Sequence, residues 1–198
     1  MIEVLPYVAV GLFTVTTILL LIGREWRLLL GALAIQYVGV FFMVAAYWPI
    51  SMAVIKVVVG WMTAVALGIS QAGSTSSLEQ ETSLPTGRIF RLLAASLIFL
   101  VVFSLSSPVL SWFPGIQSPE VVGSLMLVGM GLLQLGMTVK PYRVILGLLT
   151  VLAGFEILYA AVEASVLVAG LLAVINLGLA LMGAYLISVE QREDQDIL

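Results

Sequence analysis

Apolar residues fill this chain in seven long blocks separated by short polar breaks. The blocks run from about Pro6 to Ile22, Leu28 to Tyr47, Ser51 to Ser70, Ile89 to Leu110, Val121 to Val139, Val144 to Val162 and Ala164 to Ile187. Each is about the length that one helix needs to cross a bilayer's hydrocarbon core. Trp48-Pro49 reads as a tight turn at an interface. Trp112 to Pro119 reads as a short surface loop, and Gln71 to Gly87, with Gly73-Ser74-Thr75-Ser76-Ser77, Glu79, Glu81 and Pro85, as the one long polar linker. The pattern predicts an all-α, polytopic membrane protein with seven transmembrane helices.

Charge gives an independent check on that count. Arg24, Arg27, Arg88, Arg91, Lys140, Arg143 and Arg192 all fall on one side of a seven-span chain, and the other side receives no Lys or Arg. One helix more or fewer would scramble this separation. The positive-inside rule places the arginine side and the C-terminus in the cytoplasm and the N-terminus outside. The expected location is a prokaryotic inner or plasma membrane. The first block is not read as a signal peptide: Glu3 precedes it, Arg24 and Arg27 follow it, and it lacks a small-residue cleavage site.

Composition narrows the chemistry. Of 198 residues, 62% are hydrophobic and only 10% charged, against about 25% charged in soluble domains. Cysteine and histidine are absent, which removes thiol chemistry, iron–sulfur ligation, haem ligation by His and the usual zinc sites. No cofactor and no metal are expected. The net charge of −3 comes mostly from Glu190, Glu193, Asp194 and Asp196. No basic patch supports nucleic-acid binding.

The organisation expected is an N-terminal three-helix group over residues 1–71, a linker with the fourth helix and an outer loop over 72–120, a C-terminal three-helix group over 121–188 and an acidic tail over 189–198. Trp26-Arg27-Leu28-Leu29-Leu30-Gly31 resembles Tyr142-Arg143-Val144-Ile145-Leu146-Gly147, and each opens the middle helix of its group. Both groups run in the same sense because a single helix separates them, which suggests a parallel repeat. The many glycines, among them Gly129, Gly131, Gly136, Gly154, Gly170, Gly178 and Gly183, are expected to allow close helix approach.

Polar residues inside the apolar blocks are the candidates for function. Glu156 lies deep in the sixth block, in Gly154-Phe155-Glu156-Ile157-Leu158-Tyr159-Ala160. A carboxylate there costs at least about 2.5 kcal/mol and commonly marks an ion or proton route. The alternative is a neutral acid hydrogen-bonded to a neighbour. Lys56 lies in the third block among Val, Ile and Met. Either it snorkels to the interface or it meets a buried partner. Counted from opposite helix ends, Lys56 and Glu156 reach similar depth, each about 10 Å in, so both are expected to point into the protein or toward partner subunits and to contribute to one polar path. Gln36 and Asn176 lie near mid-membrane and serve either as interhelical glue or on that path. Glu163, two turns after Glu156 on the same face, reads chiefly as a solvated boundary residue and otherwise as a further candidate on that path. Gln134 reads as packing.

These residues resemble a known group. The last three helices resemble the K subunit (chain 4L) of respiratory complex I and its relatives in Mrp-type antiporters, through Gly154-Phe155-Glu156-Ile157-Leu158-Tyr159-Ala160 and Leu177-Gly178-Leu179-Ala180-Leu181. The resemblance implies a proton-pathway role for Glu156. The family's second glutamate, four residues before the last-helix glycine, corresponds here to Val174. The whole chain resembles the E-type membrane subunit of group-four nickel–iron hydrogenases, whose third helix carries a similar lysine segment, matched by Val54-Ile55-Lys56-Val57-Val58-Val59. The resemblance implies a non-catalytic subunit, with other membrane subunits and the lipid bilayer as partners. A stand-alone small-solute or ion transporter, and a structural or assembly subunit, are the alternatives.

The charge pattern makes a direct prediction in a Cys-free chain. A cysteine at Ser76 should resist an impermeant maleimide in intact cells, and labelling there would reverse the topology.

Overall fold

The computed structural model describes residues 4–72, 85–112 and 115–196. Most of the long polar linker, residues 73–84, lies outside the described residues, as does Glu3. The described residues form seven helices: α1 (Leu5–Ile22), α2 (Trp26–Val44), α3 (Ile50–Ala72), α4 (Pro85–Trp112), α5 (Ser118–Gly136), α6 (Pro141–Val162) and α7 (Val166–Asp196). All seven are long and apolar enough to cross a membrane, and the chain is an all-α, polytopic membrane protein.

The helix ends follow local chemistry. Proline stands at the first or second position of α1, α5 and α6, where its missing N–H is no loss and its fixed φ suits a helix. So α5 begins at Ser118, earlier than the Val121 expected, and Glu120 falls in its first turn. Likewise α6 begins at Pro141 and carries Arg143 inside it. At the other end of the chain, α7 runs through to Asp196. The acidic residues expected as a separate tail continue the helix, since neither Gly nor Pro interrupts them and Glu, Gln and Arg are good helix formers.

Two layers of three helices make the bundle. Within the layers α2 packs on α1 and α3, and α6 on α5 and α7; across them α1 faces α5, α2 faces α6 and α3 faces α7. A two-fold axis along the bundle would set α1 against α7. Here the groups face each other in the same order. The two similar segments meet directly, with the Tyr142 hydroxyl donating to the Trp26 carbonyl at 3.1 Å. Helix α4 lies outside both layers, against α5 and the edge of α1, and leaves Phe90, Leu93, Leu97, Leu100 and Phe103 exposed.

Small residues set the α5–α6 distance. A Cβ at Gly131 would press on the Gly147 carbonyl and Val151, and one at Gly154 on the Ser124 carbonyl and Leu127. Gly183 of α7 similarly faces Ile145 and Leu67, and Gly129 faces Ile98 of α4. The expectation of close approach does not hold for Gly136, Gly170 and Gly178. Nothing among the described residues lies within 4 Å of a Cβ built there, because those positions turn outward from the bundle.

The two ends of the bundle differ. At one, Arg143 donates to the Gly23 carbonyl at 2.6 Å and Arg91 to the Leu21 carbonyl at 3.1 Å. Both cations thus sit on the last carbonyls of α1, the negative end of its helix dipole. Gln134 donates to the Arg143 carbonyl at 2.9 Å. This is the arginine end. The opposite end, where α2 turns into α3 and α6 into α7, is closed by buried Trp48, whose indole N–H donates to the Glu163 carbonyl at 2.9 Å. This is the Trp48 end.

A test of the packing follows. Gly131→Ala should lower thermal stability in detergent by about 1–3 kcal/mol, since α5 and α6 must part to admit the methyl. Gly178→Ala, facing open space, should leave it unchanged or slightly higher.

Candidate functional site

Four helices, α2, α3, α6 and α7, form a square in which each touches the next. Each sends one polar side chain inward. Lys56 Nζ of α3 stands 2.9 Å from Glu156 Oε1 of α6, with side chains 1% and 0% exposed. Asn176 of α7 donates its amide to the same Oε1 at 2.7 Å. Tyr37 of α2 donates its hydroxyl to Asn176 Oδ1 at 2.6 Å. The second amide hydrogen of Asn176 goes back to the Leu172 carbonyl, at 3.2 Å.

Local packing explains how the four meet. Lys56 lies six residues into α3 and Glu156 six residues before the end of α6, each about 9 Å from the Trp48 end by helix rise. Tyr37 lies about 10 Å from the end of α2 on the same scale. Its ring packs on Gly60, where a Cβ would run into it. Lys56 does not snorkel. Its ammonium lies 5.6 Å from the centre of the buried Trp48 ring, and a cation over an indole face is itself a favourable pairing.

The network is incomplete in an informative way. Oε1 takes both the ammonium and the Asn176 amide, while Oε2 has no hydrogen-bond partner among the described residues. The ammonium meets Oε1 at ion-pair distance but off the angle of a directed hydrogen bond. The carboxylate therefore keeps one free acceptor, and the ammonium keeps unused donors. A proton could pass directly between Nζ and Oε1, or enter at Oε2.

The expected polar residues divide accordingly. Glu156, Lys56 and Asn176 come together as one cluster. Gln36 is fully buried next to Tyr37 in the chain, yet neither of its amide atoms has a partner among the described residues. Glu163 is exposed, and only its backbone carbonyl takes part, through Trp48. Val174, at the position of the second glutamate implied by the family resemblance, is 66% exposed on the outward face of α7. Tyr37 was not singled out in the sequence, and Trp48 only as an aromatic of an interfacial turn. A hydroxyl-bearing ring in mid-helix beside Gln36 was the one available signal for Tyr37.

Comparison of the chain with protein-family models, with curated proteins and with solved structures found no match. Among the described residues no group of acidic side chains has the arrangement of a metal site.

The pair's contribution to stability is measurable. Lys56→Met alone leaves a buried carboxylate uncompensated and should destabilise the protein by about 3–5 kcal/mol. Combining it with Glu156→Gln should recover much of that loss in thermal unfolding in detergent. Additive effects would mean that the two side chains do not interact.

Proposed function

We propose that this chain is a membrane subunit of a complex-I-like, membrane-hydrogenase-like or Mrp-like assembly, and that it carries part of a proton or ion route through Lys56 and Glu156. The observation that carries the reading is the fully buried Lys56–Glu156 pair, with a free carboxylate oxygen, at the centre of four helices. Ionisable groups within a membrane are costly, and transport routes are where they are commonly found. A purely structural tie between four helices could use amides and hydroxyls alone, at far lower desolvation cost.

The chemistry is that of a switchable pair. With Glu156 ionised and Lys56 protonated, charge is balanced internally. Once the ammonium turns a hydrogen toward Oε1, 2.9 Å away, transfer of that proton gives a neutral pair and leaves the net charge of the site unchanged. From the neutral pair, arrival of a proton at Nζ or departure of the one on the carboxyl changes the charge of the site by one; from the ion pair, the same change comes by arrival at Oε2 or departure from Nζ. Asn176 donates to the carboxylate, Tyr37 donates to Asn176, and neither needs to titrate.

The cation distribution supports an orientation with the arginine end in the cytoplasm and the Trp48 end outside. The long apolar faces of α4 and α7, exposed from Phe90 to Phe103 and at Leu167, Leu171, Val174 and Leu181, suit lipid and neighbouring membrane subunits. The structural reading has one observation of its own: the same contacts join α2, α3, α6 and α7.

Glu156→Gln separates the two readings, because glutamine keeps the hydrogen bonds and cannot titrate. In the intact assembly, isolated from its native membrane and returned to liposomes, Glu156→Gln should abolish proton movement while the subunit remains assembled. Normal pumping in that variant would leave only the structural role.

A further inference from the structure

A second carboxylate is buried at the Trp48 end. Glu120, in the first turn of α5, is 1% exposed, and both of its carboxylate oxygens lack a hydrogen-bond partner among the described residues. Its neighbour Val121 belongs to an apolar cluster with Val109 and Ile116, flanked by Leu158 and Ala161 of α6. The ordinary role of an acidic residue in a first turn is to favour the positive end of the helix dipole from the surface. Glu120 is not at the surface. A buried polar group with no protein partner calls for a ligand, an ion or a proton to explain it.

The α2–α3 turn lies over this carboxyl. The Gln117 backbone N–H donates to the Tyr47 hydroxyl at 3.2 Å. Burial pushes the Tyr47 phenol above its ordinary pKa, the Gln117 amide opposes this, and the charge of Glu120 adds to it. Tyr47 and Glu120 therefore lie within electrostatic reach of each other. Tyr47 is followed by Trp48, whose ring covers Lys56.

Depth can be compared through the α5–α6 contact. Gly154 of α6 lies against Ser124 of α5. Glu120 is one turn from Ser124 toward the Trp48 end, about 6 Å, and Glu156 is two residues from Gly154 in the same direction, about 3 Å. The two carboxyls thus lie within about 3 Å of one level. Glu156 faces α3 and α7, while Glu120 stands at the start of α5. The titratable groups at this end of the elements around Glu120 are Tyr47 on the turn, Tyr7 on α1, and Glu156, Tyr159 and Glu163 on α6, with none on the facing half of α4. No cation is among them, so none of these groups neutralises an ionised Glu120.

We propose that Glu120 is a proton-binding site at the Trp48 end, exchanging with the adjoining aqueous phase beside Tyr47 and loading the Lys56–Glu156 pair. The loading step rests on the proton-route reading above; proton binding by Glu120 does not. The site takes a proton onto one carboxylate oxygen and releases it from the same oxygen, with no other bond made or broken.

The first measurement needs neither a variant nor an identified partner. The full chain in native membranes is treated with dicyclohexylcarbodiimide, which adds to protonated carboxyl groups in apolar surroundings, and the adducts are located by peptide mass spectrometry. Glu120 should be modified, with the yield falling as pH rises, and exposed Glu163 should be spared. Absence of the Glu120 adduct at every pH would overturn the proposal. So would equal reaction of Glu120 and Glu163 with a water-soluble carbodiimide. The second measurement is proton movement by the assembly with Glu120→Gln and Glu120→Asp. Loss in the first and retention in the second supports loading. Normal movement in an assembled Glu120→Gln complex overturns it. If Glu156→Gln abolishes movement and Glu120→Gln does not, this inference fails alone; if neither does, the proton-route reading fails as well.

Discussion

One ion pair decides how this bundle is put together. Removing two charges from water is far less costly when they meet than when they are buried apart. Lys56 and Glu156 meet at 2.9 Å, and the Asn176 amide and Tyr37 hydroxyl extend the contact to two further helices. Those four residues come from both halves of the chain. Their helices are therefore held in one rotation and one depth. Without the pairing, α3 would gain by turning Lys56 toward the interface, and its face of Ala53, Gly60, Thr63 and Leu67, all buried now, would turn with it.

Glycine makes the approach possible. Tyr37 can reach Asn176 because Gly60 gives its ring room on α3, and α6 lies close to α5 because Gly131 and Gly154 carry no side chain at the contact. The polar network and the small-residue contacts are thus complementary. One sets which faces point inward, and the other sets how far apart the helices stand. Trp48 closes the arrangement at its end, linking the α2–α3 turn to the α6–α7 turn through one hydrogen bond.

Much of this was legible from the residues, and the reason is the bilayer. Block length and one-sided arginines define seven spans whatever the neighbours are, so α1 to α7 match the blocks within a few residues except where proline or a charged helix end moves a boundary. Depth was legible too, because it is counted along a helix; that is why Lys56 and Glu156 could be matched. Rotation was not. An apolar helix surrounded by lipid and by other apolar helices shows little difference between its faces, so nothing in the block around Tyr37 told whether it or Gln36 faced Asn176. Glu120 was placed just outside its span because the apolar run starts at Val121. Ser118-Pro119 was the overlooked helix-start signal that brings the carboxylate inside.

The position of the pair also bears on how such a chain would work. Polar groups thin out from Lys56 toward the arginine end. Along the same face of α3 come Gly60, then the buried and unpartnered Thr63 hydroxyl, then Leu67. Leu67 packs with Leu20, Leu29, Leu33, Leu146 and Leu149 into an apolar core across both layers. A proton reaching Glu156 from the Trp48 end has no continuous row of polar side chains beyond Thr63 along that face. Under the proposed proton route this geometry would be a half-route: a charge-balanced pair near one face, with leucines along its own axis. A half-route transports only if the other half is completed, by hydration of the leucine layer or by a group reaching in from a neighbouring helix. The second would fit a chain whose α4 and α7 leave long apolar faces exposed.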